Sequence, residues 1–248
     1  FWCVNWYDYG ARMYDPALGR FHTQDRFAED FAEWSPYHYA NNNPILNIDI
    51  NGDSTFVSQN DNGTYTVTGG NLDNEDDKGI YMMGEDGNYV QVGESVTSHS
   101  FFDEDGNPVE GAVIDPGSTE GQNFIDGLVE DDPGLGEYML NARNGEKYDF
   151  KEQGMDNRAE GTTKQQHRYR GSATENGEFG SARDFGNMGA GIVAGRKGLS
   201  WGVSRVGFDA YQSYKSGKIT TEGTPTQKAQ RIGHYIGKGL RLIKLEKK

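Results

Sequence analysis

Between Lys147 and Asn187 the sequence concentrates side chains that can move protons and hold charge. Lys147-Tyr-Asp-Phe-Lys151 sets Asp149 and Lys151 two residues apart, an acid and a base on one face if the run is extended. Gln165-Gln-His167-Arg-Tyr-Arg170 adds an imidazole and a guanidinium. Asp184 and Asn187 follow three apart, which stacks a carboxylate and an amide on one face of a helix. The reaction these groups suit is hydrolysis. Metal-independent cleavage of a phosphodiester needs a base for the 2′-hydroxyl proton, an acid for the leaving oxygen and a cation for the phosphorane charge. His167 or His234 fits the first two roles, Arg170 or Lys151 the clamp, and Asp149 or Asp184 the orienting carboxylate. Hydrolysis of a cell-wall glycan is the alternative, with Asp149, Asp184 or Glu222 as acid and base beside a glycine-rich helix. A histidine satisfied in the core and a packing face of small residues account for the same residues without any chemistry.

Helices are the elements that would carry these groups. From Gly180 to Gly195, Asn187, Gly191 and Gly195 recur at four, with Ala190 and Ala194 beside them. Each Gly costs a helix about 1 kcal/mol relative to Ala, which close backbone approach to a neighbour offsets. Leu199 to Tyr211 reads as a second helix with Val203, Val206, Phe208 and Tyr211 toward the core, ended at Lys215-Ser-Gly217. The last helix, after Pro225, divides into an apolar face (Ala229, Ile232, Ile236, Leu240, Ile243) and a basic face. The basic face holds Lys228, Arg231, His234, Lys238, Arg241, Lys244 and Lys248. Arg231, His234, Lys238 and Arg241 form a stripe suited to anions, or an ordinary solvated helix face.

Upstream, residues 53–117 read as β-hairpins. Asp61-Asn-Gly63, Glu85-Asp-Gly-Asn88 and Asp103-Glu-Asp-Gly-Asn107 sit beside alternating runs such as Thr64-Tyr-Thr-Val-Thr68 and Tyr89-Val-Gln-Val92. A helix is predicted from Thr119 to Glu130, ended by Asp131-Asp-Pro133, and a shorter one from Leu135 to Ala142. Residues 1–52 are dense in aromatics broken by turn signals, as in short strands around ring packing.

Charge divides the 248 residues sharply. Residues 1–50 carry 3 Lys or Arg and 7 Asp or Glu, residues 51–149 carry 3 and 22, and residues 150–248 carry 18 and 9. The corresponding net charges are −4, −19 and +9, within a total of −14. The basic segment suits an anionic partner, and the acidic one suits shielding it. One cysteine, Cys3, excludes an intramolecular disulfide, and no Cys or His cluster has zinc spacing, so no metal site is read. Nor is any organic cofactor implied, since Gly186-x-x-Gly189-x-Gly191 lacks a strand-turn-helix context. With 34% hydrophobic residues no run approaches the roughly 20 apolar residues of a membrane span, so stable membrane insertion is not expected. The chain opens without an initiating Met or a signal region and reads as a fragment of something longer.

Two resemblances organise these observations. Tyr7-Asp-Tyr-Gly-Ala-Arg-Met-Tyr-Asp-Pro-Ala-Leu-Gly-Arg-Phe-His-Thr-Gln-Asp25, with Trp34-Ser-Pro-Tyr-His-Tyr-Ala-Asn-Asn-Asn-Pro44 and Asp49-Ile-Asn-Gly52, resembles the Rhs repeat-associated core over nearly all of residues 5–52. That resemblance implies a β-cocoon of upstream repeats and a toxin cargo from about residue 53. It also implies self-cleavage near Gly52 by Asp25 and Asp49. Here their motifs read Asp25-Arg-Phe-Ala28 and Asp49-Ile-Asn-Gly52 without the family's prolines, and each Asp also suits a turn. Residues 146–240, with Asp149-Phe-Lys151, the Gly/Asn-rich helix and Gln227-x-Ala-Gln-Arg-Ile-Gly233, resemble the polymorphic toxin type 44 group. Tyr148, Met188-Gly-Ala190 and Gly223-Thr-Pro225 stand where that group has other residues.

The expectation is therefore an α+β chain: an Rhs core end (1–52), an acidic hairpin or adaptor region (53–145) and a basic, mainly helical toxin domain (146–248). Its function would be that of a secreted effector delivered into a target bacterial cell, a hydrolase with RNA or DNA favoured as substrate. A peptidoglycan hydrolase and a non-enzymatic binding module are the alternatives. The family implies a cognate immunity protein, acidic if it covers the basic face.

Overall fold

The computed structural model describes residues 7–8, 13–24, 35, 37, 54–72, 77–85 and 87–246. Asp25, Asp49 and the expected cut near Gly52 lie outside the described residues. The chain is an α+β protein. Three short strands, β1 (Tyr7–Asp8), β2 (Met13–Asp15) and β3 (Arg20–Phe21), form an antiparallel sheet. Asp15 Oδ1 accepts from the Ala17 and Leu18 amides to turn β2 into β3.

A curled mixed sheet of seven strands follows: β4 (Ser54–Gln59), β5 (Tyr65–Asn71), β6 (Gly79–Met83), β7 (Tyr89–Glu94), β8 (Val113–Asp115), β9 (Gly171–Ala173) and β10 (Phe179–Ser181), in the order β10-β9-β8-β5-β4-β6-β7. The β4–β5 and β6–β7 hairpins turn where the sequence places them, with Gly63 and Gly87 at φ 82° and 78°. Asp103 to Asn107 closes only the single Phe102–Pro108 bridge.

Parallel pairing of β8 with β9 carries the sheet across the boundary expected at residue 145. Phe101, Ile114, Tyr169 and Phe179 share one core beneath it, so the two segments are joined by apolar packing. Charge reports surface composition, and the core ignores that division. Across it the surface charges pair: Glu120 with Arg170, Glu104 with Arg183, and Asp132 with Arg196, Lys197 and Lys244.

Among the described residues six α-helices complete the fold: α1 (Glu120–Asp131), α2 (Leu135–Asn141), α3 (Lys164–Arg168), α4 (Ala182–Arg196), α5 (Trp201–Ser216) and α6 (Thr224–Glu246). A capping box starts α4: Ser181 Oγ accepts from the Asp184 amide, and Asp184 Oδ2 accepts from the Ser181 amide at 3.0 Å. The α4 and α6 backbones then touch. A Cβ on Gly191 would collide with the Gln230 carbonyl, and one on Gly195 with the His234 carbonyl. From the other side, a Cβ on Gly233 would meet Met188 and one on Gly237 would meet Ile192.

This contact overturns part of the expected facing of α6: Ala229 is buried and Ile232 and Leu240 pack against the core, but Ile236 and Ile243 do not. Its buried residues are Thr226, Ala229, Gln230, Gly233, His234 and Gly237, whereas Ile236 and Ile243 are exposed. Backbones can approach this closely only where side chains are small, so Ile236 and Ile243 are rotated away. Val203 and Val206 of α5 are likewise exposed instead of facing the core.

Gly191→Ala or Gly233→Ala is expected to destabilise the chain by about 3 kcal/mol, because the added methyl meets backbone that cannot yield. Gly239→Ala, on the same helix with open space around it, should instead gain up to about 1 kcal/mol; urea melts compare the three. Hydrogen bonds from Lys244 and Lys197, with Arg196 nearby, lower the Asp132 pKa to about 2. A lowered folded-state pKa stabilises above the unfolded value near 4 and ceases to do so as pH falls through 2. The melting-temperature advantage of wild type over Asp132→Asn should accordingly be constant above pH 5 and vanish toward pH 2.

Candidate active site

A cleft opens between α2, α4, α5, the Tyr148–Lys151 segment and the loop before α6. Its inner lobe, about 270 Å³, is walled by Leu135, Met139, Val203, Phe208 and three tyrosines, Tyr138, Tyr148 and Tyr211. Its outer lobe, about 390 Å³, is polar, with Glu104, Thr220, Thr221 and Thr226. Lys151, Arg183, Asn187, Gln212 and Glu222 line both lobes, and Asp149 lines the inner one.

Asp149 and Lys151 reach the cleft on a tight turn, not the extended run expected, because Phe150–Glu152 is a single 3₁₀ turn. Asp149 is buried, and its Oδ2 accepts from the Gly145 amide at 3.1 Å. Tyr148 anchors the approach: its ring stacks on Tyr138 at 5.5 Å and its hydroxyl donates to Asp131. The Tyr138 hydroxyl donates to the Gly186 carbonyl of α4 at 3.2 Å. Burial, and then the negative charge of Asp149, push the Tyr138 pKa upward, so it remains a neutral donor.

His167 and Arg170 support this turn from behind. His167 Nε2 is 2.8 Å from the Gln153 carbonyl. Arg170 donates to the carbonyls of Phe150 and His167 and to Glu120, with its guanidinium 4.8 Å from the centre of the Phe150 ring. Neither residue lines the cleft. Asp184 is also outside it, buried in the capping box of α4, where desolvation raises its pKa against the hydrogen bonds of Ser100 and Ser181. Asn187, one turn on, does line the cleft.

The α6 stripe separates too. His234 is buried, with Nε2 2.9 Å from the Leu199 carbonyl and its ring edge-on to Trp201, while Arg231, Lys238 and Arg241 are exposed and none of them lines the cleft. Among the described residues no group of three or more His, Cys, Asp or Glu could hold a metal ion.

Glu222 sits in a network on the cleft wall. Arg205 Nη1 donates to Glu222 Oε2 at 3.0 Å and to Gln230 Oε1 at 2.9 Å, while its Nη2 pairs with Asp209. Gln230 Nε2 donates to the same Glu222 oxygen, and Asp209 accepts from the Glu222 amide. Arg183 is similarly committed, to Thr226 at 2.8 Å and Glu104 at 3.3 Å. Along the lining Asp149, Glu222 and Glu104 outnumber Lys151 and Arg183, and Arg205 behind Glu222 offsets the excess.

Comparison with known proteins assigns none of this. No family model and no solved structure matches the chain. Over 46 residues it is 50% identical to salivary gland surface protein 1 of Aedes aegypti, a stretch that is 18% of this chain and 1% of that protein.

Arg183, Arg205, Asp209, Gln212 and Gln230 were not anticipated from the sequence. The i, i+4 spacing of Arg205 and Asp209 was the legible signal. Nothing local links that pair to Glu222 or Gln230, which the fold brings in from the next loop and helix.

Since Arg205 and Glu222 are 13% and 14% exposed at their side chains, removing one charge strands the other. Arg205→Met is expected to lose about 3 kcal/mol, and adding Glu222→Gln should recover part of it. A double-mutant cycle of urea midpoints measures the coupling.

Proposed function

We propose that this chain is the delivered end of an Rhs-type polymorphic toxin, secreted into a target bacterium, and that its cleft hydrolyses cell-wall glycan. The observation that carries the chemistry is the meeting of Asp149 and Glu222 on one tyrosine- and amide-lined cleft, while His167 and His234 are held elsewhere by backbone carbonyls. Glycoside hydrolysis needs two carboxylates, one to protonate the leaving oxygen and one to activate water or attack. Glu222, opposite Arg205, holds the negative charge that suits a base or nucleophile. Asp149, buried with the Gly145 amide on Oδ2, is the second carboxylate of the pair on the cleft wall. Asn187, Gln212 and Lys151 supply polar contacts for sugar hydroxyls, and the tyrosine faces suit sugar rings.

RNA, favoured by the sequence, is the second reading. It draws on the +9 charge of residues 150–248 and on Lys151 as a phosphate contact. Against it, no histidine is among the described residues that line the cleft, and Arg183 is engaged by Glu104 and Thr226. In either reading a cognate immunity protein and an upstream cocoon are the expected partners.

The whole chain, produced in a bacterial host with and without an export signal, distinguishes the readings. Killing on export alone, with release of soluble fragments from purified cell walls, is expected. Asp149→Asn and Glu222→Gln should each lower that release by about 10²–10⁴-fold. Death confined to the cytoplasmic form, with degraded RNA, would transfer the cleft to nucleic acid.

A further inference from the structure

The rotation of α6 that seats its glycines on α4 leaves an apolar stripe in water. Tyr235, Ile236, Leu242 and Ile243 are between 39% and 59% exposed. At 100° per residue they fall within an arc of about 120°, which also takes in Ile232, itself packed on the core, with Lys228 near the start of the helix and Glu246 at its end; Arg231, Lys238 and Arg241 fill the adjoining arc. Thr224–Glu246 contains five Lys or Arg and one carboxylate, Glu246. Lys228 donates to Ser98 and Lys244 pairs with Asp132, whereas among the described residues Lys238 and Arg241 make no ion pair. Past Gly237, the last fully buried residue, α6 keeps one edge on the body through Leu240 on the core, Arg241 over Gly198 and Lys244 on Asp132, and its other face stays in solvent.

We propose that α6 is a membrane-surface helix that lies on anionic lipid. Tyr235, Ile236, Leu242 and Ile243 enter the boundary between headgroups and acyl chains, and Arg231, Lys238 and Arg241 meet lipid phosphates. A convex ridge of long side chains flanked by cations fits a surface that deforms around it better than a preformed protein groove. Among the described residues no helix is long and apolar enough to cross a membrane, and the proposed contact is with the bilayer surface. The net charge of −14 opposes approach only at long range, because screening over about 8 Å at physiological salt leaves the local cations dominant. This inference is independent of what the cleft hydrolyses.

Sedimentation of the full chain with vesicles tests it. Binding is expected to phosphatidylcholine vesicles containing phosphatidylglycerol, with little to phosphatidylcholine alone, and high salt should release it. Lys238→Gln with Arg241→Gln should weaken binding about 25-fold, about five-fold per cation. Leu242→Ser with Ile243→Ser, keeping every charge, should weaken it about ten-fold or more. All four positions are exposed, and circular dichroism and melting confirm that the variants fold. Failure of the folded wild type to bind anionic vesicles overturns the proposal, as does equal binding by wild type and both variants. Concentration-dependent dimers that the serine changes abolish, without vesicle binding, would assign the stripe to a second copy instead.

Discussion

Backbone contact between α4 and α6 is the constraint on which the rest of this structure depends. Two glycines on each helix, Gly191 and Gly195 against Gly233 and Gly237, let carbonyls of one helix occupy the space where the other would carry side chains. Helices at ordinary spacing are separated by the side chains that pack between them. Here dispersion between backbones replaces that layer, and the geometry allows almost no lateral adjustment. The register of α6 on α4 is consequently set, and so is every residue that either helix presents elsewhere.

The cleft follows from that register. Asn187 precedes the glycine contact on α4, and Gln230 lies within it on α6, so the two amides are positioned by the same interface. Opposite them, the turn bearing Asp149 and Lys151 is held from behind by Arg170 and His167 and from the side by the Tyr138–Tyr148 stack. Glu222 is oriented by Arg205 and Gln230. Asp149, Arg183 and Glu222 are thus each held by a second residue, the arrangement that lowers the reorganisation a reaction must accomplish. The same register has a second consequence, on the opposite side of α6. There the apolar residues that would ordinarily fill a helix interface are displaced into solvent beside the basic row.

Charge plays a different part. The acidic middle of the chain and its basic end look like separate modules in the sequence, yet Asp132 joins the end of α1 to α4 and α6, and Glu120 reaches Arg170. Such pairs are mostly half-exposed and individually weak in water, so they tune the surface of a body that apolar contacts already define. Phe101, Ile114 and Tyr169 carry that definition, because β8 and β9 cannot pair unless both segments contribute to one core.

Local chemistry made much of the fold legible in the sequence. The turns at Gly63 and Gly87, the helix ending before Pro133 and the close approach signalled by Gly191 and Gly195 all arise from backbone preferences that a short window contains. The candidate pair Asp149 and Lys151, and Asn187, were readable as residue types at suggestive spacings. What the window could not contain was partnership. Whether His167 faces a cleft or a carbonyl, whether Asp184 caps a helix or meets a substrate, and that Glu222 belongs beside Arg205 depend on residues far away in the chain. The facing of α6 shows the limit most clearly: by hydrophobicity alone Ile236 and Ile243 belong inside with Ile232. Only the tertiary structure decides otherwise, because the shape of the α4 backbone admits glycine and excludes a branched side chain.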